Sequence, residues 1–281
     1  MTTGKTMGMA DEFTTFEQRA KIKVCGIGGG GGNAVTRMIE QGLGGVDFIA
    51  INTDAQDLRR SKAGVRLQIG SEVTGGLGSG AKPEVGRKAA EEDRERIAEV
   101  VSNADMVFLT AGLGGGTGTG AGPVVAEVAS STGALTVGIV TLPFSFEGEE
   151  RAKNAAIGLN GFEKSVDALI VVPNDQLAEL TMDKSFLSAF EQADEVLHNG
   201  VRAISEIISM PGLVNVDFGD VETIMRDGGR SLMGIAVAQG EERARKAATQ
   251  AMVCPLLQQS TIRGAKGVIV NILGAISYTH L

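Results

Sequence analysis

Continuous apolar runs alternate with helix-like segments from residue 21 onward. The runs cover residues 22–27, 48–51, 106–111, 134–140 and 168–172. Runs without a polar–apolar alternation are typical of strands buried on both faces of a parallel sheet. Helical patterns between such strands place helices against both faces of the sheet. The pattern therefore predicts an α/β fold with a Rossmann-like, mostly parallel sheet.

Apolar residues three and four positions apart predict one long helix after the last of these strands. They are Phe186, Phe190, Ala193, Leu197, Val201, Ile204 and Ile208, and Pro211 with Gly212 ends the stripe. Beyond it, residues 231–238 and 267–273 are interpreted as strands around a helix over residues 241–251. Two strands and a helix enclose little core. This part is therefore predicted to be an incomplete second α+β domain.

The predicted organisation has four parts. A polar arm over residues 1–20 is expected to be flexible, and the first domain covers residues 21–184. The long helix connects the two domains over residues 185–211, and the incomplete second domain covers residues 212–281. Within the first domain, Pro83 suits the first turn of a charged helix that extends to Val101.

A glycine-threonine segment over residues 112–120 predicts a phosphate site. Six glycines and two threonines stand between a predicted strand and a predicted helix. Strand, glycine loop and helix start together form an anion site, because free backbone amides and the helix dipole converge on the ligand. The alternative is a flexible turn, which needs fewer glycines.

A second glycine segment, over residues 28–32, also lies between a strand and a helix. Gly26, Gly28 and Gly31 satisfy the dinucleotide pattern G-x-G-x-x-G, and Asp54 could be the acid at the end of the second strand. A polyglycine match is weak, since any spacing fits it. Neither segment contains Gly-Lys-Ser/Thr, which excludes a Walker-type P-loop. Backbone amides, helix dipoles and a metal ion must then balance the phosphate charge.

Composition narrows the possible partners. The chain has 40 glycines in 281 residues, about twice average usage. Its net charge of −8 and the lack of a basic patch argue against nucleic acid as a partner. No apolar run approaches 18 residues, so no membrane insertion is expected. Two distant cysteines favour a reducing, cytoplasmic setting, and two histidines are too few for a histidine metal site.

Three further features are candidates for ligand contact. In such sheets, ligands bind beyond the carboxyl ends of the strands. Polar clusters follow the strands at residues 52–54, 141–147 and 173–175. On the long helix, Phe190 and Asp194 suit a purine base, with core packing of Phe190 as the alternative. Asp217 and Asp220 are either an N-cap arrangement or a pair that orients water or a cation.

These motifs together resemble the tubulin/FtsZ family, and in particular the bacterial cell-division GTPases of that family. Residues 112–120 look like its signature G-G-G-T-G-T/S-G, and residues 52–56, 143–148 and 215–220 match it almost letter for letter. The resemblance extends from about residue 22 to residue 271.

The resemblance implies a cytoplasmic, filament-forming GTPase of the division septum at mid-cell, which binds GTP or GDP with Mg²⁺ held through the phosphates. Subunits would associate head to tail, with other division proteins as possible partners. Asp217, Asp220 and Asn215 would act catalytically in the pocket of the next subunit. The implied nucleotide-binding residues are Gly29, Gly30, Gly31, Gly32, Asn33, Asp54, Gly114, Gly115, Gly116, Thr117, Gly118, Thr119, Glu147, Arg151, Asn174, Phe190 and Asp194.

The chain departs from the family pattern at several positions. Lys82 stands where asparagine is common in a phosphate-sensing loop, Leu142 replaces a frequent basic residue, and Glu149 with Glu150 replaces a commonly basic pair. The last eight residues leave the pattern, which suggests truncation within the second domain and the loss of a tail that docks membrane tethers. The alternatives are a truncated module that binds GTP or caps filaments without polymerising, and an NAD(P)-dependent oxidoreductase.

Overall fold

The computed structural model describes residues 20–178, 186–210, 216–254 and 264–274, without the side chains of residues 178 and 186–188. The predicted helix end at Pro211, the predicted catalytic Asn215 and the last seven residues lie outside these ranges. The boundaries of the four predicted parts stay predictions.

A seven-stranded sheet organises the described residues. Its strands are β1 (Ile22–Ile27), β2 (Asp47–Asn52), β3 (Val65–Gln68), β4 (Met106–Gly112), β5 (Leu135–Leu142), β6 (Ala168–Pro173) and β7 (Gly229–Ser231), in the order β3-β2-β1-β4-β5-β6-β7. Every pairing is parallel. The predicted α/β class and parallel sheet are confirmed.

Helices connect the strands and cover the sheet. They are α1 (Gly28–Glu40), α2 (Ala55–Arg60), α3 (Ser71–Thr74), α4 (Pro83–Glu92), α5 (Arg94–Val101), α6 (Thr117–Ser131), α7 (Glu149–Ser165), α8 (Asn174–Ala178), α9 (Phe186–Ser209), α10 (Phe218–Met225) and α11 (Arg243–Met252), with a 3₁₀ turn at Ser145–Glu147. No helix in the described part of the chain is long and apolar enough to span a membrane.

The sheet has a buried core on each face, because alternate side chains of β4 point to opposite sides. Val107 and Leu109 belong to the core under α4, α5, α6 and α7, whereas Met106 and Phe108 belong to the core under α1, α9 and α10. The predicted stripe of the long helix is confirmed at Leu197 and Val201, which pack into the second core.

The predicted charged helix that starts at Pro83 is broken into α4 and α5 at Asp93. The side chain of Asp93 turns inward, where its carboxylate accepts a hydrogen bond from the Gly70 amide at 2.7 Å and one from Arg96 at 2.7 Å. A helix pattern read from apolar spacing cannot register this contact, since Gly70 is distant in sequence.

The strands predicted at residues 231–238 and 267–273 were wrong. Beyond β7, residues 232–239 and the described residues 264–274 belong to no helix or strand. Several of their apolar side chains are exposed, with Val237 at 83% and Ile272 at 84%, whereas Met233 and Ile269 pack partly against the second core. An extended apolar sequence forms a strand only when a neighbouring strand satisfies its backbone. The helix predicted between them is confirmed as α11.

Candidate functional site

Both glycine segments form helix starts at the carboxyl edge of the sheet. α1 begins at Gly28 directly after β1, so the predicted loop over residues 28–32 was wrong. In the second segment only residues 113–116 are a loop, and α6 begins at Thr117. The first amides of each helix have no partner inside the helix. Because β1 and β4 are neighbours, two sets of free amides lie side by side.

The glycines divide into two groups by what a side chain would meet. A Cβ on Gly31 would overlap the carbonyl oxygen of Thr110, and one on Gly118 would lie 2.7 Å from the oxygen of Gly112. A Cβ on Gly28 would lie 2.8 Å from the Gly118 amide nitrogen. Gly32 and Gly115 instead face open space. The first group brings helices and strands close together, and the second leaves room for a ligand.

A buried hydroxyl group joins three loops at this edge. Thr117 Oγ1 shares a hydrogen bond with Thr53 Oγ1 at 2.7 Å and another with Ser79 Oγ at 3.0 Å. Thr119 Oγ1 accepts a hydrogen bond from the Gly114 amide at 2.9 Å. The two threonines of the signature therefore hold the glycine loop in place. Sequence reasoning missed Ser79, which no local motif marks.

Two predicted nucleotide-binding residues, Asp54 and Asn33, have different surroundings. Asp54 caps α2, because its carboxylate accepts hydrogen bonds from the amides of Gln56 and Asp57 at 2.7 and 3.3 Å. Asn33 is exposed. Together with Asn52 and Asp57, it lines a cleft of about 190 Å³ between the glycines at the start of α1 and helix α2.

The loop after β5 builds an aromatic cluster. Phe144 is buried, stacks on Phe146 with ring centroids 4.8 Å apart, and meets Phe190 edge-on at 5.1 Å. Phe190 itself is 43% exposed, so it is not a core residue. Its exposed surface, which the predicted base stacking requires, borders this loop.

Glu147 organises the same loop. One carboxylate oxygen accepts a hydrogen bond from the Phe144 amide at 2.9 Å, and the other pairs with Arg151 at 3.0 Å. Arg151 stays about half exposed. Glu147 thus orients Arg151 along the edge where the nucleotide is predicted.

Unsatisfied polar groups mark the far end of this edge. Asn174, the first residue of α8, is 5% exposed, and its Oδ1 has no hydrogen-bond partner in the described structure. α8 packs against α9, which carries Asp194. Burial raises the pKa of Asp194 to about 6, while Arg37 lowers it and Glu191 raises it. A buried acceptor and a poorly solvated carboxylate suit a ligand with several N–H donors.

Asp217 and Asp220 lie at the start of α10. Asp217 Oδ1 accepts a hydrogen bond from the Asp220 amide at 2.9 Å, so the N-cap interpretation is confirmed. The side chain of Asp220 is exposed, and none of the described residues makes a hydrogen bond or ion pair with its carboxylate. The cap is compatible with the second interpretation, in which the pair orients water or a cation, because it engages only the carboxylate of Asp217.

α10 is anchored at the amino edge of the sheet. Arg226, which follows α10, donates to the carbonyl of Gly133 at 3.3 Å and pairs with Asp167 at 3.6 Å. These two residues precede β5 and β6. α9 also ends there, because Ser209 packs against Gly45, which precedes β2. The glycine turns, residues 28–32 and 113–116, instead follow β1 and β4 at the carboxyl edge, and no hydrogen bond or ion pair within the described residues joins Asp217 or Asp220 to them.

Comparison with known proteins decides the family. Residues 21–182 match the description "Tubulin/FtsZ family, GTPase domain" and residues 229–279 match "FtsZ family, C-terminal domain". The chain belongs to the Tubulin/FtsZ family. It therefore carries a GTPase domain that binds guanine nucleotides, and the oxidoreductase alternative loses its basis.

Solved structures of this family agree with the assignment. The chain is 48% identical to an FtsZ dimer from M. jannaschii, with a TM-score of 0.83 over 85% of this chain and 70% of that one. It is 26% identical to CetZ2 from Haloferax volcanii, described as a GTPγS-bound protofilament, with a TM-score of 0.70 over 80% and 69% of the two chains. The tubulin/FtsZ fold predicted from the motifs is confirmed.

Proposed function

We propose that this chain is a GTPase that assembles head to tail into filaments, and that each active site is completed by the neighbouring subunit. The glycine turns, Glu147, Arg151, Asn174, Phe190 and Asp194 of one subunit bind GTP. Asp217 and Asp220 of the next subunit act on the terminal phosphate. Asn215, which was predicted beside them, lies outside the described residues.

The separation of pocket and aspartates carries this proposal. The glycine turns follow β1 and β4, whereas α10 is tied to residues that precede β5 and β6. A head-to-tail stack of identical subunits places the amino edge of one sheet over the carboxyl edge of the next. The aspartates of one subunit then lie against the nucleotide of the next.

The pocket fits a guanine nucleotide from both ends. Guanine presents ring and amino N–H donors, and Asp194 with the unpaired Asn174 Oδ1 supplies acceptors for them. The first-turn amides of α1 and α6 point at the phosphates, where negative charge is favoured. Gly29, Gly30 and Gly114 to Gly116 complete the backbone surface on that side.

The donor set also suits Mg²⁺ held through phosphates. The described residues contain no group of three His, Cys, Asp or Glu side chains that could hold a metal by themselves. Oxygen donors are nevertheless close, because a Cβ on Gly29 would lie 3.6 Å from the Asp57 carboxylate. Mg²⁺ binds through one or two carboxylates together with phosphate oxygens, and when bound it neutralises phosphate charge. Asp57 and Asp54 are the carboxylates that would assist.

Asp217 and Asp220 supply what the pocket lacks. Phosphoryl transfer depends on positioning and charge stabilisation, and a cradle of backbone amides contains no group that orients a water. An exposed carboxylate from the next subunit accepts a proton from that water and orients the water so that its oxygen attacks the terminal phosphate. GTP is therefore stable in the free subunit and hydrolysed in the filament. We further propose a place in the cytoplasmic division ring at mid-cell.

A titration of GTPase rate against protein concentration tests the proposal. Turnover per subunit is expected to rise steeply above an assembly threshold, and light scattering in GTP and Mg²⁺ should rise at the same concentration. GDP and ATP serve as controls that give neither signal. A turnover independent of concentration would contradict completion of the site between subunits. GTP binding without scattering would favour a binding or capping module.

Asp194→Asn is expected to weaken GTP binding and to stabilise the free protein. A charged acceptor is worth about 1.5–3 kcal/mol, so GTP affinity should fall about 10- to 100-fold at pH 7.5. The asparagine amide can donate to the carbonyl that xanthine has in place of the guanine amino group. The substitution should therefore reduce the affinity for XTP less than the affinity for GTP. Titration calorimetry with GTP and XTP measures both. Glu195→Gln is the control, because Glu195 bonds to Gln41 instead.

The stability change follows from the sign of the pKa shift. The folded-state pKa of Asp194, about 6, lies above its unfolded value, so ionisation opposes folding once the pH exceeds the unfolded pKa. The free energy of unfolding of Asp194→Asn should exceed that of the unaltered protein by about 1 kcal/mol above pH 6, and the two should be equal below pH 4. In the unaltered protein, GTP affinity should fall as pH drops through 6. A stability loss at pH 7.5 would contradict a ligand-binding role.

A further inference from the structure

The side chain of Asn154 on α7 joins two loops of the phosphate region. Its Nδ2 donates to the carbonyl of Ala81 at 3.1 Å and to the carbonyl of Gly114 at 3.3 Å. Both partners are acceptors, which fixes the nitrogen of the amide toward them. Neither the sequence motifs nor the proposed function assigns a role to this residue.

Both loops adopt backbone conformations that need support. Ala81 has φ +58°, a left-handed value that is unfavourable for a residue with a Cβ. Gly114 has φ +104°, and a Cβ there would lie 3.0 Å from the carbonyl oxygen of Arg151 on α7. α7 therefore packs directly on the glycine loop, and Asn154 extends from the same helix to the loop that contains Ala81.

The Ala81 loop places Lys82 against the phosphate cradle. A Cβ on Gly116 would lie 2.8 Å from the Lys82 amide nitrogen and would overlap the hydroxyl of Ser79. Lys82 is exposed, so its ammonium group can reach over the cradle. The glycine loops themselves contain no lysine. A cation at this position supplies charge that backbone amides alone do not.

The strand order places this loop at the terminal-phosphate end of the nucleotide. The base-binding residues follow β6 or lie on α9, and the glycine turns follow β1 and β4 in the middle of the sheet. The Ala81 loop continues from the β2–β3 side and contacts Thr117 through Ser79. A nucleotide that runs from β6 toward β1 therefore points its last phosphate at Lys82.

We propose that Asn154 is a positioning residue that holds the Ala81 loop so that Lys82 contacts the terminal phosphate of GTP. The proposal rests on the guanine-nucleotide site described above. It predicts that Asn154 contributes to the preference for GTP over GDP and contributes little to binding of the parts the two nucleotides share. Asn154 acts through Lys82 and does not touch the nucleotide.

The test compares affinities for a non-hydrolysable GTP analogue and for GDP at protein concentrations below assembly. Asn154→Ala and Lys82→Ala should each lower the ratio of the two affinities about three- to tenfold, the usual effect of losing one or two hydrogen bonds. The double variant should fall no further than Lys82→Ala, because residues in one network are not additive. Asn160→Ala, an exposed substitution on the same helix, should leave the ratio unchanged.

Hydrogen exchange of the nucleotide-free protein gives a second measurement. Asn154→Ala should speed exchange over residues 77–86, and Asn160→Ala should not. An unchanged affinity ratio in Asn154→Ala, additive losses in the double variant, or unaltered exchange would each overturn the proposal. If the unaltered protein bound no guanine nucleotide, the proposed function would fail, and the exchange measurement would still report separately whether Asn154 holds the loop.

Discussion

Gly31→Ala is expected to lower the free energy of unfolding by about 3 kcal/mol, a large fraction of what a domain of this size has. The new Cβ would overlap the carbonyl oxygen of Thr110 and would lie 3.0 Å from the carbonyl carbon of Gly26. Both obstacles are backbone atoms of β4 and β1, at the centre of the sheet. Since neither can move without breaking strand pairing, the helix start of α1 must shift outward.

Gly32→Ala is the matched control for this change. It adds the same methyl group one residue later on the same helix, where no atom lies within 4 Å. Alanine is a better helix former than glycine, so this variant should be as stable as the unaltered protein or up to about 1 kcal/mol more stable. Any loss it shows should be in nucleotide affinity, because it narrows the space beside the cradle.

Chemical denaturation followed by far-ultraviolet circular dichroism measures the difference. The chain has no tryptophan, so fluorescence is a poor probe. Nearly equal midpoints for the two variants would show that the close approach of α1 to β4 is not needed for the fold. A Gly31→Ala protein that folds normally and loses only GTP affinity would mean that this glycine serves the ligand instead.

The different surroundings of Gly31 and Gly32 could not be predicted from the sequence. The strand–glycine–helix order predicted the location of the site and the α/β class, because apolar runs and breaks in them are local properties. Which glycine faces backbone and which faces open space depends on atoms far away in sequence, such as the oxygen of Thr110. A polyglycine run gives no local signal for that difference, so Gly29 to Gly32 were all assigned to the ligand.

Two edge elements were missed for a similar reason. β3 is only four residues long and exposes Val65 and Arg66, so it lacks the continuous apolar run that marked the central strands. α2 is short and begins directly after Asp54, which was interpreted as a ligand residue and also caps this helix. Short elements take their stability from neighbours and not from their own sequence pattern.

The aspartate pair was the case in which two interpretations proved compatible. The cap by Asp217 uses one carboxylate oxygen and the amide of Asp220, and it does not engage the Asp220 carboxylate. The sequence predicted both residues, but the anchoring of α9 and α10 at the amino edge follows only from the contacts of Ser209 and Arg226. That anchoring is the reason why we propose that the aspartates act on the nucleotide of a neighbouring subunit.

Asp220→Ala is expected to bind GTP normally and to lose about 100-fold or more in turnover, the usual effect of removing a group that handles a proton. Stability should change by less than about 1 kcal/mol, because the cap uses the Asp220 backbone amide, which the substitution keeps. Asp217→Asn tests the partner residue without removing the cap, since asparagine caps helices as well as aspartate does. Steady-state phosphate release at saturating GTP measures turnover.

A mixture of two variants distinguishes an active site shared between subunits from one contained in a single chain. Asp220→Ala keeps a complete pocket and Asp194→Asn keeps both aspartates, so the pocket of the first can be completed by the second. At GTP concentrations too low for Asp194→Asn alone, an equal mixture should recover about a quarter of normal turnover, because a random head-to-tail stack makes one interface in four complete. Co-sedimentation establishes that both variants enter the filament. If both are present and turnover stays at the level of the separate variants, Asp220 acts within its own subunit or does not act on the nucleotide at all.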